Sequence, residues 1–171
     1  MASKFLSPLL LNEAYNSSTF DCGVGSLNEY IKKYALQHQQ SQGSRTYVAI
    51  HDNNNIAGYF TLAYGSVSSE EVPERVGRGL GRYPIPIMVL ARLAVDQKLK
   101  GQGLGKSLLK QALLKTLNAS EIAGLRAIVV HAKDTTAQSF YKHYGFTSSS
   151  LDELHMFLLC KDIRLNLLPK I

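Results

Sequence analysis

The stretch Leu90–Lys106 constrains this chain more than any other part of it. An apolar, strand-like run ending at Val95 leads through a short polar segment into Gly101-Gln102-Gly103-Leu104-Gly105. That loop opens a helical pattern carrying Leu104, Leu108, Leu109, Ala112 and Leu113. Glycine lets a backbone turn tightly and approach a ligand closely. The first turn of the following helix leaves amide N–H groups without intrahelical partners. A strand, a glycine loop and a helix N-terminus together form an anion cradle suited to a phosphate or pyrophosphate. Such a unit also demands a sheet for its strand and a core for its helix.

The chain of 171 residues is 45% hydrophobic, enough for one domain with a sizeable core. Its formal charge of +6, from 19 basic and 13 acidic residues, favours a polyanionic partner without requiring one. Cys22 and Cys160 stand far apart and give no disulfide framework. No charged-then-apolar leader precedes Leu9-Leu10-Leu11, and no apolar run nears the ~20 residues that span a bilayer. A reduced, cytoplasmic setting is expected, with no membrane partner.

Periodicity supplies the remaining elements. Ser26 and Glu29 have the spacing of a capping box, ahead of an apolar face of Leu27, Tyr30, Ile31 and Tyr34; the pattern predicts a helix over 27–40. Thr46–Ile50 and Ile56–Leu62, joined by Asp52-Asn53-Asn54-Asn55, read as a hairpin. Gly65–Tyr83 reads as a polar loop holding Arg75, Arg78 and Arg82, and Ile85–Val95 as a strand whose prolines restrict its start to an edge or an entry position. A helix over 104–117, a strand over 125–131, a helix from Asp134 or Thr135 to His143 stopped at Gly145, and a strand over 154–161 follow. The order is that of a mixed α/β sheet with helices packed on it.

Two common phosphate motifs fail here. A Walker loop needs glycine where Lys100 stands, and a dinucleotide fingerprint needs glycine or alanine where Lys106 stands. Lys98-Leu99-Lys100-Gly101-Gln102-Gly103 instead resembles the acyl-CoA pyrophosphate loop of the GNAT family of N-acetyltransferases, with Lys98 where that family usually has Arg or Gln. The block Asp134-Thr135-Thr136-Ala137-Gln138-Ser139-Phe140-Tyr141, followed by Gly145-Phe146, is similar to the second signature of the same family. The resemblance implies a GNAT fold: a central mixed β-sheet flanked by helices and splayed where acetyl-CoA binds. It further implies that backbone groups of Leu93, Ala94 and Val95 meet pantetheine, and that Lys98, Gly101, Gln102, Gly103, Leu104, Gly105 and Lys106 hold the pyrophosphate. Asp134 and Phe140 are implied as further cofactor contacts; Asp134 serves equally well as a helix cap, and Leu93, Val95 and Phe140 serve the core as well.

Amine acetylation needs a neutral amine, a polarised thioester carbonyl and a proton for the departing thiolate. Tyr141, at the Phe-Tyr position, is the candidate catalytic acid, since a phenol of pKa ~10 is protonated at neutral pH. A strand amide at Val95 is the candidate for polarising the carbonyl. No carboxylate stands out as a base. The five histidines show no metal spacing, so no metal is expected. An α-amine beside an ester is electron-poor and titrates below the ~8 of a free α-amine, so it needs little help from a base. Aminoacyl-tRNA carries that amine.

Phe20-Asp21-Cys22-Gly23, Leu27-Asn28-Glu29-Tyr30-Ile31, Pro84-Ile85-Pro86 and Met156-Phe157-Leu158 are similar to blocks in the acetyltransferase toxins of bacterial toxin–antitoxin pairs. This implies acetyl transfer to the α-amine of aminoacyl-tRNA, a block of translation, a ribbon-helix-helix antitoxin and a homodimer. Arg78, Arg82 and Arg92 are the candidate tRNA contacts, two in the long loop and one on the strand. Acetylation of protein or small-molecule amines is the alternative enzymatic reading. A coenzyme- or antitoxin-binding module without activity is the non-enzymatic one.

Overall fold

The structure, a computed structural model, describes residues 7–167. Seven strands make one mixed sheet in the order β1-β2-β3-β4-β5-β7-β6. They are β1 (Leu9–Leu10), β2 (Arg45–His51), β3 (Asn55–Val67), β4 (Ile85–Val95), β5 (Ala127–His131), β6 (Thr147–Ser148) and β7 (His155–Leu159). The helices are α1 (Gly25–Glu29), α2 (Ala35–Gln40), α3 (Glu74–Gly77), α4 (Leu104–Ile122), α5 (Thr135–His143) and α6 (Cys160–Asp162). β4 and β5 run parallel; β1–β2, β2–β3, β5–β7 and β6–β7 are antiparallel. The backbone divides into two compact units. The first holds the residues up to Ala63 together with Ala91–Ala112, and the second Tyr64–Leu90 with the residues from Leu113 onward.

In the first unit the predicted hairpin forms, and Asn53 and Asn54 take the left-handed conformations of its turn (φ +56° and +63°). Its core gathers Phe20, Tyr30, Ile31, Ala35, Val48, Ile56, Tyr59 and Ala94. Gly58 permits the densest contact: a Cβ there would lie 2.9 Å from Leu108 Cδ1 and 3.0 Å from the Ala94 carbonyl. The expected capping box does not form. α1 starts two residues earlier, at Gly25 after Val24, with no side-chain cap, which leaves Ser26 inside the helix. Tyr34 also departs from expectation. A π-turn over Tyr30–Tyr34 joins α1 to α2, and the Ala35 N–H closes on the Tyr30 carbonyl. The wider turn puts Ala35 in the core beneath Tyr30 and rotates Tyr34 outward, to 44% exposure.

The second unit is built on β5, a continuous buried run from Ala127 to Val130, as expected of a central strand beside a parallel neighbour. Val67, Val72, Val76, Ile85, Ile87, Val129, Phe157 and Leu159 form its core. The segment expected to be a loop is more ordered than its composition suggests, since β3 extends to Val67 and α3 lies within it. Pro86 occupies an entry position: its carbonyl accepts the Arg126 N–H (2.9 Å) before the β4–β5 register begins at Ile87↔Ala127. That register ends at Leu90↔Val130, whereas β4 continues to Val95. The last strand is shorter than predicted because Cys160 turns the chain into α6.

Candidate active site

The glycine loop lies in the first unit. β4 ends at Val95, and Asp96, only 6% exposed, fastens the turn that follows. Its carboxylate accepts the N–H groups of Lys98 (3.0 Å) and Asp21 (3.1 Å), and its own N–H donates to the Ala57 carbonyl (2.8 Å). Asp96 therefore ties together the N-terminal block, β3 and the loop, the structural end-of-strand role its position suggests. Lys100 adds a second tie, with Nζ donating to the Cys22 carbonyl (3.2 Å). Asp21 is the counterpart of Asp96. It accepts from the Gly23 amide, Asn28 Nδ2 and Gln97 Nε2, and these bonds hold its carboxyl below the usual range.

Past this anchor the loop is shaped for close approach. Gly101 and Gly103 have φ of +80° and +82°, and a Cβ on either would meet no protein atom within 4 Å. The backbone thus stands open on the side where side chains would otherwise project. The Ser107 N–H closes back on the Gly103 carbonyl (3.1 Å), so the amides of Leu104, Gly105 and Lys106 precede the helical ladder. The helix they open is 19 residues long and held by buried Leu104, Leu108, Leu109, Ala112, Leu113 and Leu117. An open backbone at two left-handed glycines and a helix N-terminus without acidic residues fit a pyrophosphate. Lys98 contributes its backbone to the Asp96 turn, and its side chain is exposed. On the preceding strand, Ala94 and Val95 are buried and Leu93 is half-buried.

Tyr141 lies in the second unit, on α5. Asp134 caps that helix, its Oδ1 accepting the Ala137 N–H at 2.8 Å, while Gly145 (φ +97°) follows its end. Tyr141 is 6% exposed, with its ring edge-on to Phe140 (5.2 Å) and Phe146 (5.3 Å). Burial raises its phenol pKa above the ordinary tyrosine value. The proton therefore stays on the oxygen at any physiological pH. Phe140, half-buried, also packs edge-on to Tyr144 (5.2 Å).

The three arginines singled out from sequence have different surroundings. Arg92 is in the first unit, its guanidinium 3.5 Å from the centroid of the Tyr30 ring. Arg78 is in the second, on the surface and paired with Glu74 (3.2 Å). Arg82 is exposed. Sequence reasoning passed over Arg126, which donates to the carbonyls of Val76 (2.9 Å), Arg75 (3.2 Å) and Arg78 (2.9 Å) and so fixes the loop carrying two of the basic residues. Its only signal was a charge set immediately before a buried strand.

This arrangement has known counterparts. An acetyltransferase (GNAT) domain model matches residues 17–154. The chain belongs to the GNAT acetyltransferase family. A tRNA-acetylating toxin of Mycobacterium tuberculosis is 40% identical over 162 residues, covering 95% of this chain and 96% of that protein. The solved structure of AtaT complexed with acetyl-methionyl-tRNAfMet matches with a TM-score of 0.85 at 27% identity, over 92% of this chain and 96% of that one. A tyrosine-to-phenylalanine variant of AtaT, bound to the C-terminus of the antitoxin AtaR and to acetyl-CoA, matches with a TM-score of 0.79 at 28% identity, over 94% and 96%. The mixed α/β fold expected of a GNAT enzyme is the one observed. Among the described residues no helix is long and apolar enough to cross a membrane.

Proposed function

We propose that this chain is the toxin of a toxin–antitoxin pair and acetylates the α-amino group of aminoacyl-tRNA, which blocks translation. The observation that carries the reading is the 40% identity with a tRNA-acetylating toxin along almost the whole of both chains. The structural likeness to AtaT, solved with an acetylated aminoacyl-tRNA, supports the same substrate. The family model runs through residues of both compact units, which supports treating 1–171 as one acetyltransferase domain.

Bound acetyl-CoA supplies an acetyl thioester, which an amine can attack with loss of a thiolate. In our reading the amides from Gly101 to Lys106, with Gln102 and Lys98 beside them, hold the coenzyme's pyrophosphate. Backbone groups of Leu93, Ala94 and Val95 align its pantetheine arm. The Val95 N–H polarises the thioester carbonyl, and the Tyr141 hydroxyl gives up its proton as the thiolate departs. Asp134 and Phe140 flank the coenzyme in addition to capping and packing α5. The amine needs no strong base, because the neighbouring ester lowers its pKa. Arg78, Arg82 and Arg92 contact the tRNA.

The pair's second member, in this proposal, is a ribbon-helix-helix antitoxin whose C-terminal segment binds the toxin, as that of AtaR binds AtaT. The enzyme acts in the cytoplasm, where charged tRNA is found, as a homodimer. Incubating it with labelled acetyl-CoA and total tRNA, either charged or deacylated, tests the function. Label on charged tRNA alone supports it; label on protein or polyamine with none on RNA replaces it with the alternative acceptor class.

A further inference from the structure

The second unit carries a cleft of about 270 Å³ that the acetyl-transfer chemistry leaves unused. Arg75, Arg78, Arg126, Lys161 and Arg164 line it, above a floor that includes Leu125, Leu159 and Cys160. These five cations meet three carboxylates: Arg75 pairs with Asp162 (2.9 Å), Arg78 with Glu74 (3.2 Å) and Arg164 with Glu121 (2.8 Å). Among the described residues that leaves two positive charges in excess.

The cations are not held alike. Arg126 is locked by the three carbonyls it caps, and Arg75 by a two-pronged bond to a largely buried Asp162. These two shape the cleft. Arg78 and Arg164 sit in exposed, solvent-screened pairs, so exchanging a carboxylate for another anion costs little. Lys161 is exposed beside them. Two fixed arginines, with Arg78, Arg164 and Lys161 able to reorient, make a receptor for a polyanion with several phosphates. A cleft of this volume suits a sugar–phosphate unit better than a single small ion.

We infer that this cleft is a phosphate subsite for the RNA backbone, with Arg78, Lys161 and Arg164 as its contacts and Arg126 and Arg75 as its frame. The inference rests on the tRNA reading above and names a part of that interface. Arginine forks match phosphate oxygens in pairs, and each neutralised phosphate releases counterions. Affinity through the cleft therefore falls as salt rises.

The test uses the full chain, with affinity for charged tRNA measured across a salt series. Lys161→Gln with Arg164→Gln should weaken binding about tenfold at moderate salt. It should also flatten the log–log salt slope by about 1.5, the share of two phosphate contacts. Glu121→Gln removes the carboxylate paired with Arg164 and leaves only that side chain's bond to Ser120 Oγ (2.7 Å), so it should tighten binding about threefold, an effect no folding defect would mimic. Acetyl-CoA affinity should hold in both variants. An unchanged salt slope in the double variant overturns the subsite. So does weakened acetyl-CoA binding, which would assign the cleft to the coenzyme's phosphates, or loss of antitoxin binding with tRNA binding intact. If the wild-type enzyme leaves charged tRNA unlabelled, the function itself fails; if it labels charged tRNA while the double variant keeps its slope, only the subsite does.

Discussion

The Arg92 guanidinium rests on the face of Tyr30, 3.5 Å from the ring centroid, and Tyr30 in turn stacks on Tyr59 at 6.4 Å. The Tyr30 hydroxyl is bonded to Ser44 (3.1 Å), and the Tyr59 hydroxyl donates to the Leu27 carbonyl (2.7 Å). Arg92 is therefore part of the packing that fixes the π-turn, whatever else it meets. A cation on a ring face contributes about 0.5–2 kcal/mol, more when desolvated. Arg92→Gln should lower the melting temperature by about 2–4 °C for each kcal/mol lost. Arg92→Lys keeps the charge but forfeits the planar stack, so it should lose stability while retaining tRNA affinity. Thermal melts beside tRNA titrations separate the two roles.

Tyr141→Phe removes one hydroxyl and leaves the ring contacts with Phe140 and Phe146 in place. Turnover should fall by about 10²–10⁴, the usual worth of a positioned acid. Acetyl-CoA affinity, measured by calorimetry, should stay within about twofold. Unimpaired turnover would remove Tyr141 from the mechanism.

The raised phenol pKa values set the alkaline behaviour. Tyr141 and Tyr59 both hold their protons more tightly in the fold than in the unfolded chain, because burial disfavours the phenolate. Between the unfolded value near ~10 and the higher folded value, the unfolded chain binds fewer protons, so stability falls as pH rises. Denaturant melts should show this loss starting near pH ~10, with a smaller slope in Tyr141→Phe. For the same reason turnover should show no alkaline decline from the acid group below about pH 9. His155 has the opposite sense. Burial and neighbouring His131 lower its pKa, so its contribution to stability is present above ~6.5 and lost as pH falls.

Gly103→Ala tests the cradle. The left-handed backbone (φ +82°) makes alanine cost about 1 kcal/mol, and the added methyl enters open space rather than protein. The loss of acetyl-CoA affinity should exceed the loss of stability, by tenfold or more against a Tm change of a few degrees. A calorimetric titration that matches the wild type would show that no ligand approaches this backbone.

The helix face of α4, the limits of β4 and the cap of α5 were legible in the sequence because each follows from local periodicity and one cap residue. The features missed depend on groups distant in the chain. Ser26 and Glu29 carry the spacing of a capping box, yet the helix starts at Gly25 after Val24, because packing of the N-terminal block decides the entry. Gly58 carries no signal of its own within its strand, and only the approach of Leu108 and the Ala94 carbonyl shows why a glycine stands there. Arg126 and Arg164 look like ordinary surface charges until α3 and α6 place carbonyls and a second set of cations around them. The glycine loop and Tyr141 were singled out as candidates through residue patterns, whereas the basic cleft has no local pattern to single out.

Acetyl transfer to aminoacyl-tRNA leaves one defined covalent product, and identifying that product decides the function. Charged tRNA incubated with the enzyme and acetyl-CoA is digested to its 3′ aminoacyl-adenosine and analysed by tandem mass spectrometry. One added acetyl group is expected, on the α-nitrogen, in the wild-type reaction and little or none with Tyr141→Phe. An unmodified aminoacyl-adenosine from the active wild-type enzyme, or an acetyl group on the ribose or a base, would contradict it.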